Sequence, residues 1–376
     1  MTARSEQGTL DHSLPLPVRP TRLGLYDVIV KIAGGGMATI YLGRGRDEAG
    51  GELLVALKVI RHELRNDDRF VTMFLDEAKI LSRLSHPNIA ATYEFGTDDE
   101  QHFIAMELLV GRTMLEVWEA CKARNVTLRP DHAAWIAARI ADALHYAHES
   151  TDESGASLNL IHRDVNPSNI FLTLEGEVKL FDFGLAKSSG RRGKSVDGIV
   201  KGKLPYLSPE QVAQLPVDRR SDIYMLGTTL WEMTTMRRLF KRDEDVDTLM
   251  AVRAGLVPDP RARMPDYPED LWLIVRRTLA RDRDDRYPTA AELARDLDDF
   301  VASQGSAEDM PGLTAEILDA LFPGEREERA QWLRRARGYL REPGRATLPP
   351  PVPVAGTNTP SMLPPNPPSS RPGRKT

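Results

Sequence analysis

Cysteine is almost missing from this chain: Cys121 is the only one in 376 residues. An intramolecular disulfide and a cysteine-based zinc cluster are therefore excluded, as expected of a protein in a reducing cytosol. Cys121 itself reads as a small, buried apolar residue. No run of about 18 apolar residues occurs, so no transmembrane helix is expected. Residues 1–20 lack the apolar stretch of a signal peptide, and cytoplasmic placement is the expectation. Basic excess is missing too. Fifty Lys and Arg against 55 Asp and Glu give a net charge of −5, so neither nucleic acid nor a membrane surface is an expected partner. From Pro343 onward acidic residues disappear, while 11 of the 34 residues are proline and four are basic. Such a tail should be extended and disordered, either simply solvated, the favoured reading, or open to a proline-dependent partner.

What the chain has is a concentrated set of polar motifs. His162-Arg163-Asp164-Val165-Asn166-Pro167-Ser168-Asn169 is followed, thirteen residues after Asn169, by Asp182-Phe183-Gly184. A carboxylate within reach of a hydroxyl can take its proton as a phosphoryl group leaves ATP. An amide oxygen and a second carboxylate are hard ligands suited to Mg²⁺. Apolar runs at 159–161, 170–174 and 178–181 predict strands beside both motifs. Together the motifs resemble the protein kinase family, whose catalytic loop is H-R-D-L-x-x-x-N and whose metal motif is D-F-G.

Other stretches extend the resemblance. Val55-Ala56-Leu57-Lys58 is similar to the family's V-A-I-K, and its alternation predicts a strand with Lys58 facing the cleft. Nineteen residues on, Glu77 shares a helical face with Phe70, Phe74, Leu81 and Leu84, where a lone carboxylate would be costly without a cation. Lys58 is the implied partner. The glycine loop departs from the family's G-x-G-x-x-G-x-V, which becomes Ala33-x-Gly35-x-x-Ala38-x-Ile40. Alanine hinders the backbone approach to phosphate that glycine allows, although Gly34 and Gly36 keep the turn pliable.

The resemblance implies an α+β, two-lobed kinase domain over 23–302, with a mainly-β lobe at 23–106, a hinge at 107–111 and a mainly helical lobe at 112–302. A helical extension at 303–342 lies between this domain and the tail; apolar residues at helical spacing over Leu313–Leu340, broken by Pro323-Gly324, are expected to form two small helices packed on the kinase lobe, with a partner-binding helix as the alternative, and residues 1–22 are expected to be disordered. By the same resemblance ATP would lie under Ile32, Ala33, Gly34, Gly35, Gly36, Met37, Ala38, Thr39 and Ile40. Ala56 would join the roof, backbone groups of Glu107 and Leu109 would meet the adenine, and Phe171 would form the floor. Lys58, held by Glu77, would position phosphates; Asp164 would be the base; Asn169 and Asp182 would hold Mg²⁺. Ser208-Pro209-Glu210 stands for A-P-E, with Arg286 as the partner of Glu210 and Asp222 supporting the catalytic loop.

The expected activity is that of a bacterial eukaryotic-like protein serine/threonine kinase acting on protein substrates; the alternative is a pseudokinase scaffold that binds ATP, kept open by Ala33, Ala38 and Asn166. Between Asp182 and Glu210 there is no threonine, and Ser195 follows Arg191, Arg192 and Lys194. A phosphate on Ser195 would meet those cations and could reach Arg163, so autophosphorylation is expected there, with Ser188 or Ser189 as second choice; the alternative is that the basic cluster is only a solvated loop. Finally, the family's lysine two residues after the catalytic aspartate is here Asn166, while Lys203 stands where a threonine is usual. The cation lost at one place is thereby expected to return at the other, unless Lys203 is a surface charge and Asn166 only caps a turn.

Overall fold

The computed structural model describes residues 22–34, 37–47, 49–183, 201–305 and 309–339. Alternating apolar residues build a six-stranded antiparallel sheet in the order β1-β2-β3-β4-β6-β5. Its strands are β1 Arg22–Leu23, β2 Tyr26–Gly34, β3 Ala38–Arg46, β4 Glu52–Ile60, β5 Thr92–Asp98 and β6 Gln101–Glu107. Helix α1, Asp68–Leu81, starts where the Asp67 carboxylate accepts from the Arg69 N–H, and it buries Glu77 and Ala78. One face of the sheet packs Leu23, Tyr26, Val28, Val55, Leu57, Val59, Phe103 and Ala105 together. Residues of the opposite parity, including Ile40, Leu42 and Ala56, form a separate cluster, and alternation along β4 puts Lys58 on that second face.

The larger lobe begins with β7 Gly111–Thr113 and α2 Met114–Arg124, then α3 Pro130–His148, β8 Ile170–Thr173 and β9 Val178–Leu180. Gly111 lies at φ 155°, and a Cβ there would stand 2.1 Å from the Leu172 carbonyl, so β7 can approach β8 only with glycine at this position. The Thr113 hydroxyl and Glu116 carboxylate cap α2 reciprocally. Small residues let α3 be buried on nearly every side, against α5 Arg220–Thr235 and α8 Ala290–Ser303. Helices α4 Pro209–Val212, α6 Asp245–Ala254 and α7 Glu269–Thr278 complete the lobe. Two further helices, α9 Met310–Leu321 and α10 Glu325–Tyr339, follow α8.

Three details differ from the sequence expectation. Arg22 pairs with Asp27 as part of β1, although 1–22 was expected to be disordered, because a two-residue ladder recruits it. The run at 159–161 is not a strand: Asn159 sits at φ 46°, which interrupts extension. The extension does not stay on one lobe, since Trp332 and Ala336 of α10 join the cleft-side cluster of the six-stranded sheet.

Candidate active site

The catalytic-loop backbone is held from below by a carboxylate. Asp222, fully buried on α5, accepts from the His162 N–H at 2.8 Å, the Arg163 N–H at 2.7 Å and His148 Nε2 at 2.8 Å. These bonds stabilise Arg163 at φ 64°, a left-handed conformation costing a non-glycine residue about 1–3 kcal/mol. Gln211 Nε2 donates to the Arg163 carbonyl at 3.2 Å from the other side. The imidazole of His162 is held neutral: burial pushes its pKa down against the pull of Asp222 and Asp164. Accordingly its Nδ1 accepts from the Asp164 N–H at 3.3 Å while Nε2 contacts the Phe181 carbonyl at 3.3 Å.

Asp164 is the centre of the loop. Asn166 Nδ2 donates to its carbonyl at 2.7 Å, and Asn169 Nδ2 donates to the same carbonyl at 2.8 Å. Lys203 Nζ forms an ion pair with Asp164 Oδ2. Asn166 also accepts from the Ser168 N–H at 2.9 Å, so it caps the short turn containing Pro167 as well as bracing Asp164. Lys203 is therefore part of the site and not a free surface charge.

A second cluster forms beside the first. Lys58 Nζ lies 3.1 Å from Asp182 Oδ1 and 3.6 Å from Glu77 Oε1. Burial disfavours the lysine's charge, but the two carboxylates outweigh it and raise its pKa well above the ordinary value. Burial likewise raises the Glu77 pKa, with Lys58 opposing and Asp182 adding to the shift. Asp182 is turned toward Lys58 at φ 54°, while the next ring, Phe183, is buried 4.5 Å from the His162 ring.

Asn169 and Asp182 offer hard oxygens. Because the Asn169 Nδ2 is committed to Asp164, its Oδ1 is left as the ligating atom. No cluster of three or more His, Cys, Asp or Glu side chains capable of holding a metal occurs among the described residues. Asn169 and Asp182 would hold a divalent ion between them, its remaining ligands being left to phosphate and water.

Ile32, Ala33 and Gly34 end β2, and Ala38, Thr39 and Ile40 begin β3, with Ala33 opposite Ile40 and Gly34 opposite Thr39. Met37 is exposed between them, and Gly35, Gly36 and Ser195 lie outside the described residues. Ile32, Ile40 and Ala56 share one buried cluster, against which Met106 and Leu108 pack. Phe171 on β8 is buried, its ring edge-on to Phe181 at 6.3 Å. The Glu107 N–H is taken by the Ala91 carbonyl at 2.8 Å, so that group is already committed within the small lobe.

Two groups escaped the sequence reading. Lys179 Nζ pairs with Glu107 Oε1 at 2.9 Å, joining β9 to the hinge; a lysine inside the apolar run 178–181 was the available signal. Trp332 and Ala336 carried only a helical period, which says nothing of where the helix docks.

Deeper in the lobe, Arg286 grips Glu210 with two bonds of 2.8 and 2.9 Å, both residues buried. Comparison with known proteins decides the family, since a protein kinase domain profile matches residues 26–297. The chain belongs to the protein kinase family. Members of this family use ATP and a divalent metal and act on protein substrates. The kinase domain is 38% identical over 301 residues to the tyrosine-protein kinase MasK of Myxococcus xanthus, covering 80% of this chain and 46% of that protein. It is 32% identical over 274 residues to the serine/threonine-protein kinase PrkC of Bacillus subtilis, covering 73% and 40% respectively. With the serine/threonine-protein kinase PknB of Mycolicibacterium smegmatis the identity is 35% over 288 residues, covering 74% and 43%. The chain thus spans less than half the length of these curated relatives. The crystal structure of the Mycobacterium tuberculosis PknI kinase domain superposes with a TM-score of 0.54 at 26% identity, covering 74% of this chain and 96% of that one. No helix among the described residues is long and apolar enough to cross a membrane.

Proposed function

We propose that this chain is an active, Mg²⁺-dependent protein serine/threonine kinase of bacterial signal transduction, working in the cytoplasm. The observation that carries the proposal is Lys58 seated between Glu77 and Asp182, beside a catalytic loop whose Asp164 is braced by Asn166, Asn169 and Lys203. Lys58 binds the α- and β-phosphates, and Glu77 keeps it from swinging away. Asp164 orients the acceptor hydroxyl and takes its proton as the new P–O bond forms. Asn169 and Asp182 hold Mg²⁺, which when bound neutralises charge building on the phosphate oxygens. Ile32, Ile40, Ala56 and Phe171 enclose the adenine, with backbone groups of Glu107 and Leu109 at its edge. Positioning and fixed charge supply most of the acceleration, which is why a folded array of this kind is needed.

Serine and threonine are favoured as acceptors by the similarity to PrkC and PknB, both named serine/threonine-protein kinases, and by a catalytic loop without the alanine–arginine pattern of tyrosine kinases. MasK, named a tyrosine kinase, supports tyrosine as the second reading. Incubation with labelled ATP and Mg²⁺ followed by phosphoamino-acid analysis separates the two. Lys58→Met and Asp164→Asn should each abolish incorporation in folded protein; undiminished labelling in both would refute the active kinase and leave the scaffold reading. Peptide mapping of the same reaction should find phosphate on Ser195, where Arg163 and the local cations can read it, and an unmodified segment would remove that regulatory role.

A further inference from the structure

The C-terminal extension crosses from the large lobe to the nucleotide side of the small one. Helix α9 is fixed to the large lobe: Met310, Leu318 and Leu321 enter its core, and Thr314 Oγ1 meets His132 Nε2 at 2.8 Å. The Pro311 carbonyl lies so close to Gly176, at φ 89°, that any Cβ there would stand 1.8 Å away. Gly324, at φ 84°, turns the chain into α10. There Glu325, buried, receives Arg112 Nε at 2.7 Å and Arg329 Nη2 at 2.8 Å, tying the start of α10 to the strand that follows the hinge. Near its other end Arg337 pairs with Glu52 at 2.7 Å, at the start of β4.

Between these anchors Trp332 is only 6% exposed and Ala336 fully buried, in the cluster that contains Ile32, Ile40 and Ala56, with Met106 and Leu108 packed against it. These are the apolar surfaces a purine would use. The helix is otherwise dominated by charge: in Glu325–Tyr339 eight of fifteen residues are Glu or Arg. Its hold on the small lobe therefore depends on few apolar side chains. The buried indole Nε1 of Trp332 has no hydrogen-bond partner among the described residues, which weakens the docked state and suits a segment that a ligand displaces.

Resting on the nucleotide site proposed above, we propose that Trp332 is a determinant of nucleotide affinity in cis, and that α10 competes with the adenine of ATP for the Ile32–Ile40–Ala56 surface. Docked α10 lowers apparent ATP affinity by the fraction of molecules in which that surface is covered. Undocking needs no unfolding of α9, because the turn at Gly324 separates the two helices. Loss of the Arg112–Glu325 tie releases the helix from the hinge end.

The test is made on the full chain. Trp332→Ala should lower KM for ATP and the Kd of a non-hydrolysable ATP analogue by about tenfold, with kcat unchanged or raised. Glu325→Gln, which leaves the small-lobe core untouched, should shift both constants in the same direction and covers the case in which Trp332→Ala misfolds. Titrating the parent chain with the analogue should red-shift tryptophan emission, and Trp332→Phe should lose that shift. A higher KM in Trp332→Ala would mean that Trp332 is a wall of the nucleotide site, and unchanged constants in both variants would mean that α10 is a passive brace; either result overturns the competition while leaving the kinase reading intact. Absence of nucleotide binding in every variant would overturn both together.

Discussion

Asp164 shows how one residue's surroundings divide a task between distant parts of the chain. Asn166 cannot supply the cation usual at its place, and its amide is spent on the Asp164 carbonyl and on the Ser168 N–H. The ammonium of Lys203 arrives from 39 residues away and pairs with the carboxylate itself. Counting back from 206–210 was enough to suggest that Lys203 belongs to the site. Its pairing with Asp164 was not legible, because contact between segments is a property of the folded chain. Lys203→Thr should reduce kcat by about 10²–10³, the usual effect of losing one group that stabilises transition-state charge. Adding Asn166→Lys should restore much of that loss, and a double-mutant cycle in steady-state turnover measures the coupling. Independent, additive effects would reduce Lys203 to a structural counterion of Asp164.

At the level of elements, α9 is docked through a histidine that must stay neutral. Thr314 Oγ1 donates to the Met310 carbonyl, so toward His132 it accepts from Nε2–H, and the buried Nδ1 has no partner among the described residues. Burial lowers the His132 pKa from 6.5 to about 4, with Asp131 opposing the shift and Arg129 adding to it. The folded value lies below the unfolded one, so the unfolded chain binds the extra proton first. The stabilisation is complete above pH 6.5 and is lost as pH falls toward 4, amounting to about 3 kcal/mol over that window. Thermal denaturation of His132→Phe should show a shallower fall in Tm between pH 6.5 and 4 than the parent chain. An identical pH slope in both would remove His132 as the cause. A sequence pattern predicted the helices at 313–340 and the break at Pro323-Gly324; it held no sign that a histidine 182 residues away would anchor the first of them.

Across the whole molecule, the two lobes are joined by more than the hinge. Leu180 of β9 donates its N–H to the Asn88 carbonyl at 2.8 Å and accepts from Ala90 at 3.0 Å, and Asn88 Nδ2 donates to the Val178 carbonyl at 2.8 Å. The Lys179–Glu107 pair lies in the same seam. Removing one partner of a buried pair costs about 3–5 kcal/mol because the other charge is left uncompensated. The loss here should lie at the lower end, since a fifth of the Glu107 side chain remains exposed and its Oε2 still accepts from the Ala91 N–H at 3.1 Å. Lys179→Met should therefore lower unfolding free energy measurably in urea, and Lys179→Met with Glu107→Gln should recover part of it. Equal stability in the single variant would show that the seam is held by the backbone bonds alone.

By itself the sequence determined the family chemistry, because that chemistry is local: His162, Arg163, Asp164 and Asn169 sit within one loop, and Val55 to Lys58 and Val178 to Phe181 carry their own strand alternation. It also determined that Glu77 would be buried and need a cation, since helical spacing fixes which side faces inward. Only the tertiary structure decided what crosses between segments. Lys203 on Asp164, Lys179 on Glu107 and Trp332 on the cleft side of the sheet each join residues far apart in the chain. Periodicity says that a face is apolar, not which surface will cover it; that choice is made by shape and by the groups left unpaired when the lobes close together.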